Sequence, residues 1–253
     1  MGASFRAVAA ALERATPVSP PATFDPSELD GCPEPVRRYF TQAIASDAPL
    51  TPLVRLTIRG TIRLGGRWRP FRSQEVLDPR RGLVWWGRVA GVVTGGDYAV
   101  GGEGRLEWRL LGIRRVAFAE GADVVRSGLA RAFAEACLWA PTAVLPRWGV
   151  GWEATDDHHL IATWSTPYDD VRQRITLDDQ GRIIAAVFDR WGDPDETGAP
   201  ALHPFGGTVT GWRAFGGTTI ASVGAVGWHF GTERGSDGEF FRYEVTGCAP
   251  VGV

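Results

Sequence analysis

The sequence predicts a mainly β, α+β fold: a strongly curved antiparallel sheet, or partial barrel, with helices packed in its concave face. Three observations lead there. Most of the 253 residues fall into short segments of alternating apolar and polar residues, the period of a half-buried strand. One helix-like block, Ser127 to Ala140, sits between two sets of such segments, with Leu129, Phe133, Ala136 and Ala140 at helical spacing. Two segments, Leu83-Val84-Trp85-Trp86 and Thr219 to Phe230, are apolar on both faces, so each is expected to meet packing or ligand on both sides. An apolar helix between two strand sets implies a sheet that bends around it, an arrangement that can enclose a cavity.

The elements follow in order. Phe5, Val8, Ala9 and Leu12 mark a short amphipathic helix, and Thr16 to Phe24, with Pro17, Pro20 and Pro21, reads as an extended linker. Asp25-Pro26-Ser27-Glu28 has the N-cap, first-turn proline and capping-box glutamate of a helix start. A stronger helix opens at Pro35, with Val36, Tyr39, Phe40, Ala43 and Ile44 on one face. From Val54 the period becomes two: Val54, Leu56, Ile58, Ile62 and Leu64 alternate with Arg55, Thr57, Arg59, Thr61 and Arg63.

Strands are then expected over Trp68–Leu77, Leu83–Val89, Val92–Val100, Glu103–Leu111 and Ile113–Ala119. Gly65-Gly66 and Asp78-Pro79-Arg80-Arg81-Gly82 supply turns, and Gly95-Gly96 and Gly101-Gly102 mark turns or bulges. The central helix takes Ser127 as its N-cap and stops at Pro141. Strands resume at Val150–Thr155, His159–Thr166, Val171–Leu177, Arg182–Arg190, Thr208–Arg213, Thr218–Phe230 and Glu239–Thr246, with Gly192 to Pro204 as a long loop. The expected organisation is a helical segment and proline-rich linker over residues 1–32, then a single curved-sheet domain over 33–253 with its central helix at 127–140.

Composition narrows the function. A net charge of −2 gives no electrostatic footprint for nucleic acid, and no apolar run is long enough for a membrane span. The apolar stretch Val8–Leu12 is too short for a signal peptide, and Arg6 breaks a myristoylation motif. Cys32, Cys137 and Cys248 are odd in number and far apart, which fits a reducing cytoplasm; the expected location is cytoplasmic. All 27 basic residues are arginine, which excludes lysine Schiff bases, a P-loop lysine and the Ser-x-x-Lys nucleophile. There is no His-Glu-x-x-His pattern and no cysteine–histidine spacing, so neither a metal nor a cofactor is expected.

The candidate site residues come from two groups. Glu75, Asp97, Glu103 and Asp189 lie within or beside apolar strands; in a dry cavity such a carboxyl has a raised pKa and can act as general acid or base. The alternative is that each is paired with an arginine such as Arg190. Glu75 and Asp97, with Tyr98 and His229, are the candidate catalytic set. The chain holds 11 tryptophans, and the candidate cavity wall is Trp86, Tyr98, Trp108, Trp139, Trp212 and Trp228; ordinary core is the alternative.

Several blocks carry a resemblance: Trp139-Ala-Pro-Thr-Ala-Val-Leu-Pro146, Trp152-Glu-Ala with Asp156-Asp157, Arg69-Pro70-Phe71, and Tyr98 followed by Gly102 and Gly104. Leu110-Leu111-Gly112, His203-Pro204-Phe205-Gly206, Gly227-Trp228 to Gly231-Thr232 and Glu239-Phe240-Phe241-Arg242-Tyr243 add to it. Together they resemble an actinobacterial domain-of-unknown-function family from about Pro33 onward, which implies no catalytic residue. The strand–helix–strand order is similar to the lipoprotein-carrier fold, whose curved sheet holds helices in its concavity and binds acyl chains; the export signal of that carrier is not seen here. The expected function is binding of a hydrophobic small molecule or lipid-like ligand in an aromatic-lined cavity. The alternative is a cofactor-independent cyclase or isomerase acting on an apolar metabolite in the same cavity.

Overall fold

A computed structural model of the protein describes residues 4–15 and 22–251. Thirteen antiparallel strands form one sheet: β1 (Val54–Leu64), β2 (Arg67–Asp78), β3 (Gly82–Val89), β4 (Val93–Val100), β5 (Glu103–Leu110), β6 (Arg114–Glu120), β7 (Gly151–Ala154), β8 (His159–Ser165), β9 (Asp170–Leu177), β10 (Ile183–Gly192), β11 (Ala201–Phe215), β12 (Thr218–Trp228) and β13 (Glu239–Pro250). Their spatial order is β6-β5-β4-β3-β2-β1-β13-β12-β11-β10-β9-β8-β7. Two meanders therefore join at β1 and β13, and β6 and β7 form the two free edges.

The chain passes from one edge to the other through a single helix. Besides α1 (Phe5–Ala15) and α2 (Glu34–Ala43), that helix is α3 (Ala122–Trp139). It touches β2 to β6 from one half of the sheet and β9, β10 and β12 from the other. Strands so far apart in the sheet meet one helix only because the sheet curls around it. Its buried residues, among them Val125, Ala130, Ala132, Phe133, Ala134, Ala136 and Trp139, surround its axis, so it has no fully wet side.

The helix begins at Ala122, five residues before the expected start, and Ser127 is an interior residue rather than a cap. Gly121 supplies the entry at φ 101°, a conformation open to glycine, and the Ser127 hydroxyl accepts from Arg190 instead. The C-terminal stop before Pro141 is as expected.

The helix at 34–43 buries Val36, Tyr39, Phe40 and Ala43, and the Tyr39 hydroxyl donates to the Cys137 carbonyl of α3. Ahead of it, Asp25 and Glu28 form the expected capping box on a single 3-10 turn. The proline stretch at 16–21 lies outside the described residues.

The first helix packs on the opposite, convex face. Ala9 and Leu12 join Leu53, Val76, Val84 and Tyr98 in a second, separate core. This explains why Leu83–Trp86 is apolar on both faces: Leu83 and Trp85 face the main core while Val84 and Trp86 face α1. The other two-faced segment ends two residues early, at Trp228; it is two-faced only near its start, where Ile220 and Ala221 are both buried in the main core, while Val223 is exposed.

Two turn assignments also change. Gly95 and Gly96 lie within β4, where a Cβ on Gly95 would come 2.9 Å from the Trp108 ring and one on Gly96 2.0 Å from the Trp85 carbonyl. Glycine is needed there for close packing, not for a turn or bulge. The expected loop through Pro204 is strand from Ala201. The proline is tolerated because the group opposite, the His229 carbonyl, accepts from the Thr232 amide and hydroxyl instead.

Candidate functional site

A cavity of about 580 Å³ lies between the curled sheet and α3. Strand parity builds its wall. Alternate residues point to one face, so β3 sends in Trp85 and Val89, β5 Leu106 and Trp108, and β10 Ala186, Phe188 and Arg190. The first strand, β1, sends in Ile58, Ile62 and Leu64, and β13 adds Phe241 and Tyr243. From α3 come Arg131, Ala134, Glu135, Leu138 and Trp139. The surface is thus mainly apolar, with one polar patch where α3 faces β2, β4 and β10.

The aromatic part is tightly organised. Trp85 packs on Trp108 at 5.5 Å between ring centroids, and Phe71 stacks on Phe241 at 4.6 Å. Trp139 crosses Tyr243 edge-on at 5.3 Å and donates its indole N–H to the Ala221 carbonyl. It is 4% exposed, so it belongs to the core and shows only a small face to the cavity. Phe205 and Trp228 meet edge-on at 5.0 Å, under the Arg190 guanidinium.

The polar patch centres on Arg131. Its guanidinium lies 2.5 Å from Asp97, 3.1 Å from Glu135 one helical turn away, and 3.9 Å from Glu75. Burial works against the Arg131 charge, but Asp97, Glu135 and Glu75 together outweigh it and hold the group above its ordinary value. Glu75 is 1% exposed. Burial, then repulsion from Glu135, push its carboxyl well above the usual range, with Arg131 pulling the other way. A neutral Glu75 is a hydrogen-bond donor and acid inside an apolar chamber. Glu75 Oε1 and Gln173 Oε1 are buried without a hydrogen-bond partner among the described residues.

The structure separates the residues that sequence singled out. Glu75, Asp97, Trp108, Trp139 and Trp228 line the cavity. Trp86 and Tyr98 do not: each is the next residue along from an inward one, so each points to the convex face, where Tyr98 meets Phe5 at 6.1 Å. Trp212 packs on the main core outside the cavity wall, following register shifts at Gly211; it donates to the Ile183 carbonyl, with Arg182 over its ring. His229 has left the strand at φ 58° and faces His203 and Asp195, outside the wall. Asp189 points outward, 4.0 Å from Arg174, and Glu103 is exposed. The expected alternative, pairing of these acids with an arginine, does form for three of them: Arg131 is the partner of Glu75 and Asp97, and Arg174 of Asp189, with Arg190, the example considered, paired to none.

Arg131, Glu135, Gln173 and Arg190 complete the polar patch and were not candidate site residues from sequence. A signal was present for two of them. Ala130, Ala132, Ala134 and Ala136 alternate through α3, and small residues on every side mark a helix packed all round. Charged residues on such a helix must then point into the protein. Among the described residues, no cluster of histidine, cysteine and carboxylates is arranged for a metal ion.

An open, curled antiparallel sheet bent around a largely apolar chamber is the architecture these residues define. The chain belongs to a family of unknown function (DUF6544), which it matches over residues 22–240. No curated protein matches it. Among solved structures, it is similar to a LolA superfamily protein from Nitrosomonas europaea at 11% identity and TM-score 0.43, covering 85% of this chain and 91% of that one. It is also similar to a DUF1329 family protein from Desulfovibrio piger at 10% identity and TM-score 0.42, covering 79% and 86%. Among the described residues, no helix is long and apolar enough to cross a membrane.

Proposed function

We propose that the protein binds a hydrophobic small molecule or lipid-like ligand in the chamber between its curled sheet and α3. The observation that carries this reading is the chamber itself: about 580 Å³, walled by Trp85, Trp108, Phe188, Phe205, Trp228 and Phe241. That volume sits within the roughly 300–1,000 Å³ of small-molecule sites, and a few convergent polar groups in an apolar wall is the usual composition of such sites. The expected result of native mass spectrometry on gently purified protein is a co-purifying apolar molecule. After delipidation, Trp108→Ala and Trp228→Ala should weaken rebinding, while Trp86→Ala, on the convex face, should not. Protein that neither carries nor rebinds any apolar molecule sinks the reading.

One observation favours a second reading, a cofactor-independent cyclase or isomerase. Glu75 and Asp97 converge on the same cavity, and burial pushes the Glu75 carboxyl well above its ordinary value, toward the proton-bearing form. An acid of that kind can protonate an apolar substrate that the walls fold into a reactive shape. Under this reading Glu75→Gln binds ligand but leaves it unchanged, whereas the wild type converts it. A ligand recovered chemically intact from the wild type removes the enzyme reading and leaves the binder.

A further inference from the structure

Two arginines enter the cavity, and their surroundings differ. Arg131 has three carboxyl groups within 4.0 Å. Arg190 has none among the described residues: its one hydrogen bond runs from Nε to the Ser127 hydroxyl, 2.9 Å away. The guanidinium plane is held from below, with Phe205 at 4.6 Å and Trp228 at 5.3 Å from its carbon. Ser127 fixes the Nε edge, so the Nη fork is left for another partner. Burial of a charge is costly unless it is paired, and a fixed guanidinium fork matches a carboxylate with two parallel bonds. We propose that the cavity takes an apolar ligand bearing a single carboxylate, and that Arg190 receives that carboxylate at the end of the aromatic wall. The proposal rests on the hydrophobic-ligand reading above and specifies its ligand class.

The rest of the patch limits the charge. Burial, then repulsion from Arg131, bring Arg190 down to about 10, with Asp97 and Glu135 acting in the opposite sense. It stays cationic at neutral pH. Because the same two carboxyl groups act on it, a monoanion is accommodated and a phosphate dianion is opposed.

The test uses the delipidated full-length protein titrated with laurate and with dodecanol, which share a chain and differ in charge. Tryptophan fluorescence reads binding, since Trp85, Trp108, Trp139 and Trp228 line the cavity. The wild type should prefer laurate by about ten-fold or more, the scale of a hydrogen bond to a charged group. Arg190→Met should bring the two to parity and leave dodecanol binding in place. Ser127→Ala, which releases Nε but keeps the charge, should narrow the preference, and it serves if Arg190→Met does not fold. Equal binding of both by the wild type overturns the Arg190 site and leaves the hydrophobic reading standing. Binding of neither overturns both.

An independent observation concerns the rim of the first meander. The β1–β2, β3–β4 and β5–β6 turns lie along one margin of the sheet. Each carries exposed apolar residues: Leu64, Val92, and Leu111 and Ile113 at 67% and 80% exposure. The segments 63–69, 88–93 and 109–115 contain seven arginines and no acidic residue. Among the described residues, Arg63, Arg67, Arg69, Arg88 and Arg114 have no carboxylate within 4.0 Å. Leu64 and Val93, beside two of these turns, also line the cavity. We infer that this rim docks on an anionic lipid surface, with the apolar tips in the headgroup layer and the arginines on the phosphates.

The probe is co-sedimentation with vesicles of phosphatidylglycerol and phosphatidylcholine in equal parts, against phosphatidylcholine alone. The protein should bind the anionic vesicles and release in high salt. Arg114→Glu should weaken binding by about five-fold or more, and Leu111→Asp with Ile113→Asp should abolish it. All three positions are exposed, so the thermal transition should not move. No binding to anionic vesicles, or binding that survives the double substitution, overturns the inference; capture of a protein partner by this rim in place of vesicles does the same.

Discussion

The two faces of β2, β3 and β4 present the same kinds of residue to different neighbours. On the concave face, Glu75, Trp85 and Asp97 border a cavity; one residue along, Val76 and Tyr98 are buried beneath α1 and Trp86 packs half-buried against the same cluster. Trp85 and Trp86 are adjacent in sequence and chemically identical, and only Trp85 lines the chamber. What separates them is the element lying opposite. The convex face meets a small helix that fills its groove with Ala9 and Leu12, whereas the concave face spans a curve that one helix does not fill. Each face mixes buried residues (Glu75 and Trp85; Val76 and Tyr98) with a half-buried one (Asp97; Trp86), so burial alone does not mark a site.

Substitutions can break this contrast. The largest effect is expected at Arg131. Arg131→Met leaves Glu75, Asp97 and Glu135 without their cation, and breaking a buried ion-pair network in this way costs about 3–5 kcal/mol. Urea unfolding measures the loss, and a cost under one kilocalorie would show that the patch is solvated rather than buried. Next is Leu12→Ala on the convex side, expected to cost about 2–4 kcal/mol through lost burial and a cavity. Ligand binding should be unchanged, which separates the two faces.

Glu75 gives a pH-dependent contrast. Its carboxyl is held well above the usual range in the folded protein, so the folded state binds the extra proton. Its contribution is fully present below the unfolded-state value near 4.3 and is lost as pH rises toward the folded-state value, by at most about 1.4 kcal/mol per pH unit. Glu75→Gln should flatten that fall in a series of thermal transitions across pH. Smallest is Asp25→Ala, which removes the capping box on the 3-10 turn outside the cavity wall; about 1 kcal/mol is expected, with no change in binding.

Much of the architecture was legible because it rests on local rules. Alternation located the strands around the central helix, and the Asp25 capping box and the buried face of the Pro35 helix formed as read. Errors arose where a neighbour changed the local meaning. Ser127 looked like a cap and is a ligand of Arg190; Gly95-Gly96 looked like punctuation and makes room for Trp85 and Trp108; Pro204 looked like loop and lies in a strand beside an otherwise satisfied carbonyl. Tyr98 and His229 left the candidate set for similar reasons, one pointing to the wrong face and the other lying past the strand end.

By itself, then, the sequence determined the curved antiparallel sheet, its central helix and the abundance of aromatics, because periods of two and 3.6 are properties of a chain with its own backbone. Only the tertiary structure decided which face of each strand encloses a chamber, and which of the many arginines meets Glu75 and Asp97. Those partners lie on α3, dozens of residues from the acids they hold. Which charges meet in a buried site depends on how the two meanders curl around that helix, and no local pattern encodes the distance between them.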